Sequence, residues 1–168
     1  MSKQRRATAV IAAGGVIGLV AGVALGVLWW RLAPRVPVVI DPDGYAPDGF
    51  QPEGYLAADI AFGVLALIAG IVITIGLARM RREHLSSVLV AALLASAIGT
   101  AAMWFVGTRL GSVDIEGLVA TTTEQIIVDA PLEVSMPAMF LVWAIASALV
   151  VTILALIDML SSGEDASG

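Results

Sequence analysis

The sequence contains no cysteine and only one histidine, His84. The absence of cysteine excludes disulfides, thiolate metal sites, cysteine nucleophiles and acylation of the lipoprotein type. His84 cannot form a multi-histidine site, and no nucleophile or carboxylate set accompanies it. A P-loop and a dinucleotide-binding fingerprint are also missing. We therefore expect a protein that is not an enzyme and that has no cofactor, no metal and no nucleic-acid partner.

Charged residues are scarce as well. They make up 14% of the 168 residues, whereas apolar residues make up 59%. Soluble domains carry about a quarter charged residues. A soluble core of this size could not bury so much apolar surface, so lipid must solvate most of it. The lipid bilayer is therefore the first expected partner.

Four long apolar runs lie at residues 7–30, 56–78, 85–107 and 136–157. Each has about 20 residues or slightly more, the length of helix that crosses about 30 Å of hydrocarbon. Because the backbone groups of such a run must be satisfied locally, helix is favoured. The predicted fold is an all-α membrane protein with one four-helix transmembrane bundle over residues 1–160. A disordered cytoplasmic tail is predicted at 161–168.

The basic residues predict the orientation of this bundle. Six of them flank the first run or lie between the second and third runs: Lys3, Arg5, Arg6, Arg79, Arg81 and Arg82. The other two connections hold only Arg31, Arg35 and Arg109. The positive-inside rule therefore places both termini in the cytoplasm. The first run is too long for a typical signal peptide, which favours an uncleaved helix.

The two outer connections have turn and strand signals. The first repeats proline, acid, glycine and an aromatic residue at 42–46, 47–51 and 52–56, which predicts serial turns. The second has β-branched stretches at 113–115 and 125–128, which predict a short β-hairpin. Residues 41–44 resemble the start of a calcium loop, but the downstream ligands are missing. A solvated acidic face is the expected role of the acids in these connections.

Small residues recur every fourth position on two predicted helices. The candidate helix-packing residues are Gly14, Gly18, Gly22 and Gly26 in the first run and Ala91, Ala95 and Gly99 in the third. A stripe of this kind lets another helix approach closely. Packing within the bundle is favoured over an interface with another chain.

Asp59 is the one acid that lies just inside a predicted span. The helix dipole favours an anion there, and three arginines belong to the same membrane level: Arg31, Arg35 and Arg109. An interfacial ion pair, with Arg31 as the first choice, is favoured over an ion or proton relay, because no further acid lies deeper in the spans. Four tryptophans are predicted to anchor the membrane interface: Trp29, Trp30, Trp104 and Trp143.

The chain resembles the small, uncharacterised four-helix membrane proteins of actinobacteria. The resemblance lies in Trp30-Arg31-Leu32-Ala33-Pro34, in Ala57-Ala58-Asp59 with Phe62, in Gly107-Thr108-Arg109-Leu110-Gly111 after Trp104, and in Asp129-Ala130-Pro131-Leu132. Ala144 departs from the pattern, which has a proline after the last tryptophan. The resemblance implies a location in the bacterial inner membrane and implies no activity.

Two functions follow as hypotheses. The first is an accessory or structural subunit that docks to a larger membrane assembly through the glycine stripe or the outer connections. The second is a small transporter or channel formed by a homo-oligomer, which would need polar groups along a helix face. The spans offer five hydroxyl residues for that role: Thr74, Ser96, Thr100, Ser147 and Thr152. A lipid-modifying enzyme would need more than Asp59 at the interface.

Overall fold

The computed structural model describes residues 3–41, 44–47, 52–80 and 85–165. The elements are, in chain order, α1 (Lys3–Leu32), β1 (Pro37–Asp41), β2 (Gly44–Pro47), α2 (Pro52–Met80), α3 (Leu85–Leu110), α4 (Ile115–Thr121), β3 (Ile126–Asp129), a 3-10 helix (Pro137–Leu141) and α5 (Val142–Asp165). Four of the described helices are long and apolar enough to cross a membrane, which matches the number of long apolar runs in the sequence. The last helix continues to Asp165, into the segment for which a disordered tail is predicted.

The closest helix packing joins helices that run parallel. Gly14 faces Ala91, and Gly26 faces Met103, so residue numbers rise together along α1 and α3. Gly63 of α2 faces Met139, and Gly70 faces Ala146 of α5, which gives a second parallel pair. Consecutive long helices therefore run in opposite directions. The most extensive helix contacts join α1 to α3 and α2 to α5, which are not consecutive among the four long helices.

A small antiparallel sheet lies at one end of the bundle, which we call the sheet end. Its strand order is β2-β1-β3, so β1 is central. Val38 of β1 pairs with Val128 of β3, and Asp41 pairs with Gly44 of β2. Val36, Val38 and Ala130 form a buried cluster beneath the strands, with Tyr55 and Val128 packed against it. The sheet thus joins the two connections that the sequence places on the same side.

The predicted hairpin within the second connection is wrong. Only β3 forms there, and its strand partner is β1 of the first connection. The β-branched stretch at 113–115 instead leads into α4, because Asp114 caps that helix by accepting a hydrogen bond of 3.0 Å from the backbone N–H of Gly117. Local capping outweighs the β preference of the flanking residues.

The proline–acid–glycine repeat has different structures in its copies. Gly44, the first residue of β2, has a positive φ of 151°, a conformation that favours glycine. The third copy does not form the predicted β-turn. It forms the start of α2, where Glu53 lies near the positive end of the helix dipole. Pro52 begins this helix, a position where the missing N–H has no helical partner to lose. Residues 42–43 of the first copy and 48–51 of the second lie outside the described residues.

Candidate functional site

The glycine stripe of α1 lies directly against the small-residue stripe of α3. A Cβ built on Gly14 would lie 2.6 Å from the carbonyl oxygen of Ala91, and one on Gly26 would lie 2.7 Å from that of Met103. Between these ends, Gly18 lies against the backbone of Ala95 and Gly22 against that of Gly99. Ala91, Ala95 and Gly99 are buried. The structure therefore uses this face within the bundle, where backbones approach too closely for any side chain.

Gly99 has neighbours on two sides. A Cβ there would lie 2.5 Å from the Trp143 ring and 3.0 Å from the carbonyl oxygen of Gly18. The same ring packs beside Gly70 of α2, together with Ala66 and Ala69. Small residues on α2 and α3 thus create the space that this indole fills. Trp143 holds the two parallel helix pairs together near the middle of the bundle.

Two of the four predicted interface anchors are therefore core residues. Trp143 and Trp29 are both fully buried, which corrects their assignment to the membrane interface. The indole N–H of Trp29 donates to the backbone oxygen of Ala58 at 3.0 Å, and its ring meets Phe62 edge-on at 5.0 Å. Of the other two, Trp104 is exposed and Trp30 is half-buried. Glycines beside both buried rings, Gly107 at Trp29 and Gly99 at Trp143, are the sequence signal that could have identified them.

Asp59 is fully buried at the sheet end of α2. One carboxylate oxygen accepts the backbone N–H of Ser135 at 3.0 Å, and the other accepts that of Met136 at 2.8 Å. Met136 is the N-cap of the 3-10 helix that leads into α5, and its own side chain makes no capping bond. Asp59 therefore caps the last membrane helix from a different helix. The positive end of that helix favours a carboxylate here.

The predicted ion pair between Asp59 and an arginine does not occur among the contacts of the described residues, where backbone N–H groups take its place. The Arg31 guanidinium lies over the Trp30 ring at 5.6 Å, and that of Arg109 lies over the Phe105 ring at 5.1 Å. Arg35 donates to the backbone oxygen of Trp30 at 3.3 Å. Arg31 belongs to α1, which packs chiefly against α3, so the shared connection does not bring it to Asp59.

The interior of the bundle contains polar side chains. Four of the five hydroxyl residues singled out from the sequence are buried, Thr74, Ser96, Thr100 and Ser147, whereas Thr152 is exposed and bonds to its own helix. The hydroxyls of Thr74, Thr100 and Ser147 and the indole N–H of Trp143 have no hydrogen-bond partner in the described part of the chain. Ser147 lies one turn beyond Trp143, and Thr100 directly follows Gly99. Thr74 lies one turn beyond Gly70, so each of the three hydroxyl residues lies within about one helical turn of Trp143 itself or of a glycine that its ring contacts.

No cluster of three histidine, aspartate or glutamate side chains able to hold a metal occurs among the residues described. Both oxygens of Asp59 are engaged by backbone N–H groups, an arrangement that positions a helix. The fold indicates the class of the protein. Its described residues form four long apolar helices, which is consistent with a multi-pass membrane protein. Comparison with family models, with curated proteins and with solved structures finds no match for this chain.

Proposed function

We propose that the protein is a non-enzymatic accessory or structural subunit of a larger assembly in the bacterial inner membrane, with both termini in the cytoplasm and the sheet end outside. The distribution of basic residues supports this orientation. Lys3, Arg5, Arg6 and Arg79 belong to the end opposite the sheet. The resemblance to the actinobacterial proteins implies the same membrane.

The observation that carries the subunit role is the outer edge of β3. The strand order leaves β3 at one edge of the sheet, with β1 as its one strand partner in the described structure. Ile127, in the middle of this strand, is 67% exposed. The sheet lies beyond the membrane-spanning helices, where lipid tails do not cover an apolar side chain. An open strand edge with an exposed isoleucine favours addition of a strand from a partner protein.

The glycine stripe is not the docking surface, because α3 already covers it. The subunit hypothesis names the glycine stripe and the outer connections as docking surfaces, so the connections at the sheet end remain. Within them, β3 offers both unpaired backbone groups and an apolar side chain. A subunit that docks here would bind outside the hydrocarbon region.

Cysteine cross-linking tests the subunit role, since the wild-type chain has no cysteine to interfere. We expect Ile127→Cys to give a stoichiometric cross-link to one different membrane polypeptide in intact membranes. Glu116→Cys, an exposed position on α4, is the matched control and should give much less. Ile127→Lys should abolish co-purification of the same polypeptide in gentle detergent. A chain that stays monomeric and gives no cross-link at Ile127 would contradict the proposal.

A homo-oligomeric transporter or channel is the second candidate, and the buried polar groups around Trp143 favour it. Unpaired hydroxyls are costly inside a membrane bundle and tend to be retained for function. In the same experiment, a cross-link from Ile127→Cys to a second copy of this chain, with no other polypeptide present, would support this candidate over the first.

A further inference from the structure

A groove opens between α2, α3 and α5 at the end of the bundle opposite the sheet. Its volume is about 500 Å³, within the range of about 300–1,000 Å³ typical of ligand sites. Ile75, Leu85, Leu154 and Ile157 provide apolar walls. From Leu154 to Ser161 the groove follows α5 for about 10 Å, at the helix rise of about 1.5 Å per residue. Its walls thus suit an extended apolar chain.

The rim of this groove is polar. Arg79, in the last turn of α2, is exposed there, and Ser161 lies across from it on α5. Asp158 also lines the groove and makes an interaction of its own. Arg79 ends the apolar part of α2, so its guanidinium lies at the level of the lipid headgroups. A cation above an apolar groove at this depth is complementary to a phosphate that carries acyl chains.

We propose that this groove binds a glycerophospholipid, with its phosphate at Arg79 and one acyl chain between α2 and α5. A second groove at the same end provides a contrast. It measures about 220 Å³, and the described residues that line it are Ala9, Val10, Ala13, Leu77 and Met80, none of which is charged. A lipid chain there would have no phosphate contact from these five residues. Preference for phosphate therefore distinguishes the Arg79 groove from simple coating by lipid.

Native mass spectrometry of the full chain in detergent tests this site with three probes. These are phosphatidylglycerol, a diacylglycerol with the same chains, and glycerol phosphate. We expect wild-type protein to retain phosphatidylglycerol in preference to the other two, because both the phosphate and the chain are needed. Arg79→Gln should weaken that binding about tenfold, the effect of one charge-assisted contact. Arg79→Lys should retain most of it, and Arg109→Gln should match wild type.

A second variant leaves the charge in place. Ile157→Trp puts a larger side chain at an exposed position of the groove wall and should also weaken phosphatidylglycerol binding. Equal retention by wild type and Arg79→Gln would overturn the proposal. So would equal binding of diacylglycerol, which would show nonspecific coating. Displacement of the lipid by glycerol phosphate would show a free phosphate site instead of a lipid site.

Discussion

Replacing Gly22 with leucine should lower the free energy of unfolding by about 3 kcal/mol or more, the upper range for overpacking a close-packed core. A Cβ at Gly22 would already lie 2.8 Å from the Cα of Gly99, so the clash is with backbone, which cannot rotate away. The α1 and α3 backbones would have to separate along their whole shared face. Titration with a denaturing detergent, followed by loss of helical or tertiary signal, measures the change.

Gly76→Leu is the matched control for this substitution. Gly76 lies in α2, and a Cβ there would meet no described atom within 4 Å. Both variants exchange glycine for leucine within a membrane helix, so differences in helix propensity cancel. We expect Gly76→Leu to unfold within about 1 kcal/mol of wild type. Equal losses in the two variants would show that the α1–α3 contact does not hold the bundle together.

Replacing Asp59 with alanine should cost about 2–5 kcal/mol, because the fully buried carboxylate accepts two part-buried hydrogen bonds from backbone N–H groups, and both would be lost. Asp59→Asn keeps one oxygen but turns an N–H donor toward the other backbone donor, so it should also destabilise. The same detergent titration measures both variants. The start of α5 should become the most labile part of the chain, which hydrogen exchange of Ser135 and Met136 would report.

Two controls separate capping from ion pairing. Asp114→Ala removes an exposed cap on α4 and should cost only about 1 kcal/mol. Arg31→Gln and Arg109→Gln each remove a contact with an aromatic ring. Beyond the loss of that contact, each should change the free energy of unfolding by less than about 0.5 kcal/mol. If either arginine substitution matched the loss at Asp59, the carboxylate would depend on that arginine, and the capping role would be rejected.

The sequence was sufficient for the helices but not for the partners of Asp59. Run lengths near 20 apolar residues predict spans because the bilayer fixes the length of a helix that crosses it. The four-residue glycine spacing marks a face that can approach another backbone closely. By contrast, Asp59 binds backbone N–H groups 76 and 77 residues away. Every residue type except proline offers such a group, so no side-chain pattern identifies this contact.

The β1–β3 pairing and the burial of Trp143 cannot be predicted from the sequence, for related reasons. β1 and β3 lie in different connections, so their pairing depends on how the helices bring both loops to one end. The place of Trp143 near the start of the last apolar run predicts a residue at the membrane interface. Its depth is instead set by Gly70 and Gly99, which leave room for an indole between helices. Tertiary packing, which sequence periodicity does not specify, decided both outcomes.

Labelling of single cysteines with a membrane-impermeant maleimide tests the proposed four crossings, with the sheet outside the cytoplasm, most directly. Val39→Cys and Thr122→Cys, at the sheet end, should react in intact cells. Ser2→Cys, Met80→Cys and Ser161→Cys should react only after the membrane is opened. This alternation is the result we predict for four spans with both termini in the cytoplasm. Labelling of Met80→Cys or Ser161→Cys in intact cells, or protection of Thr122→Cys, would contradict it.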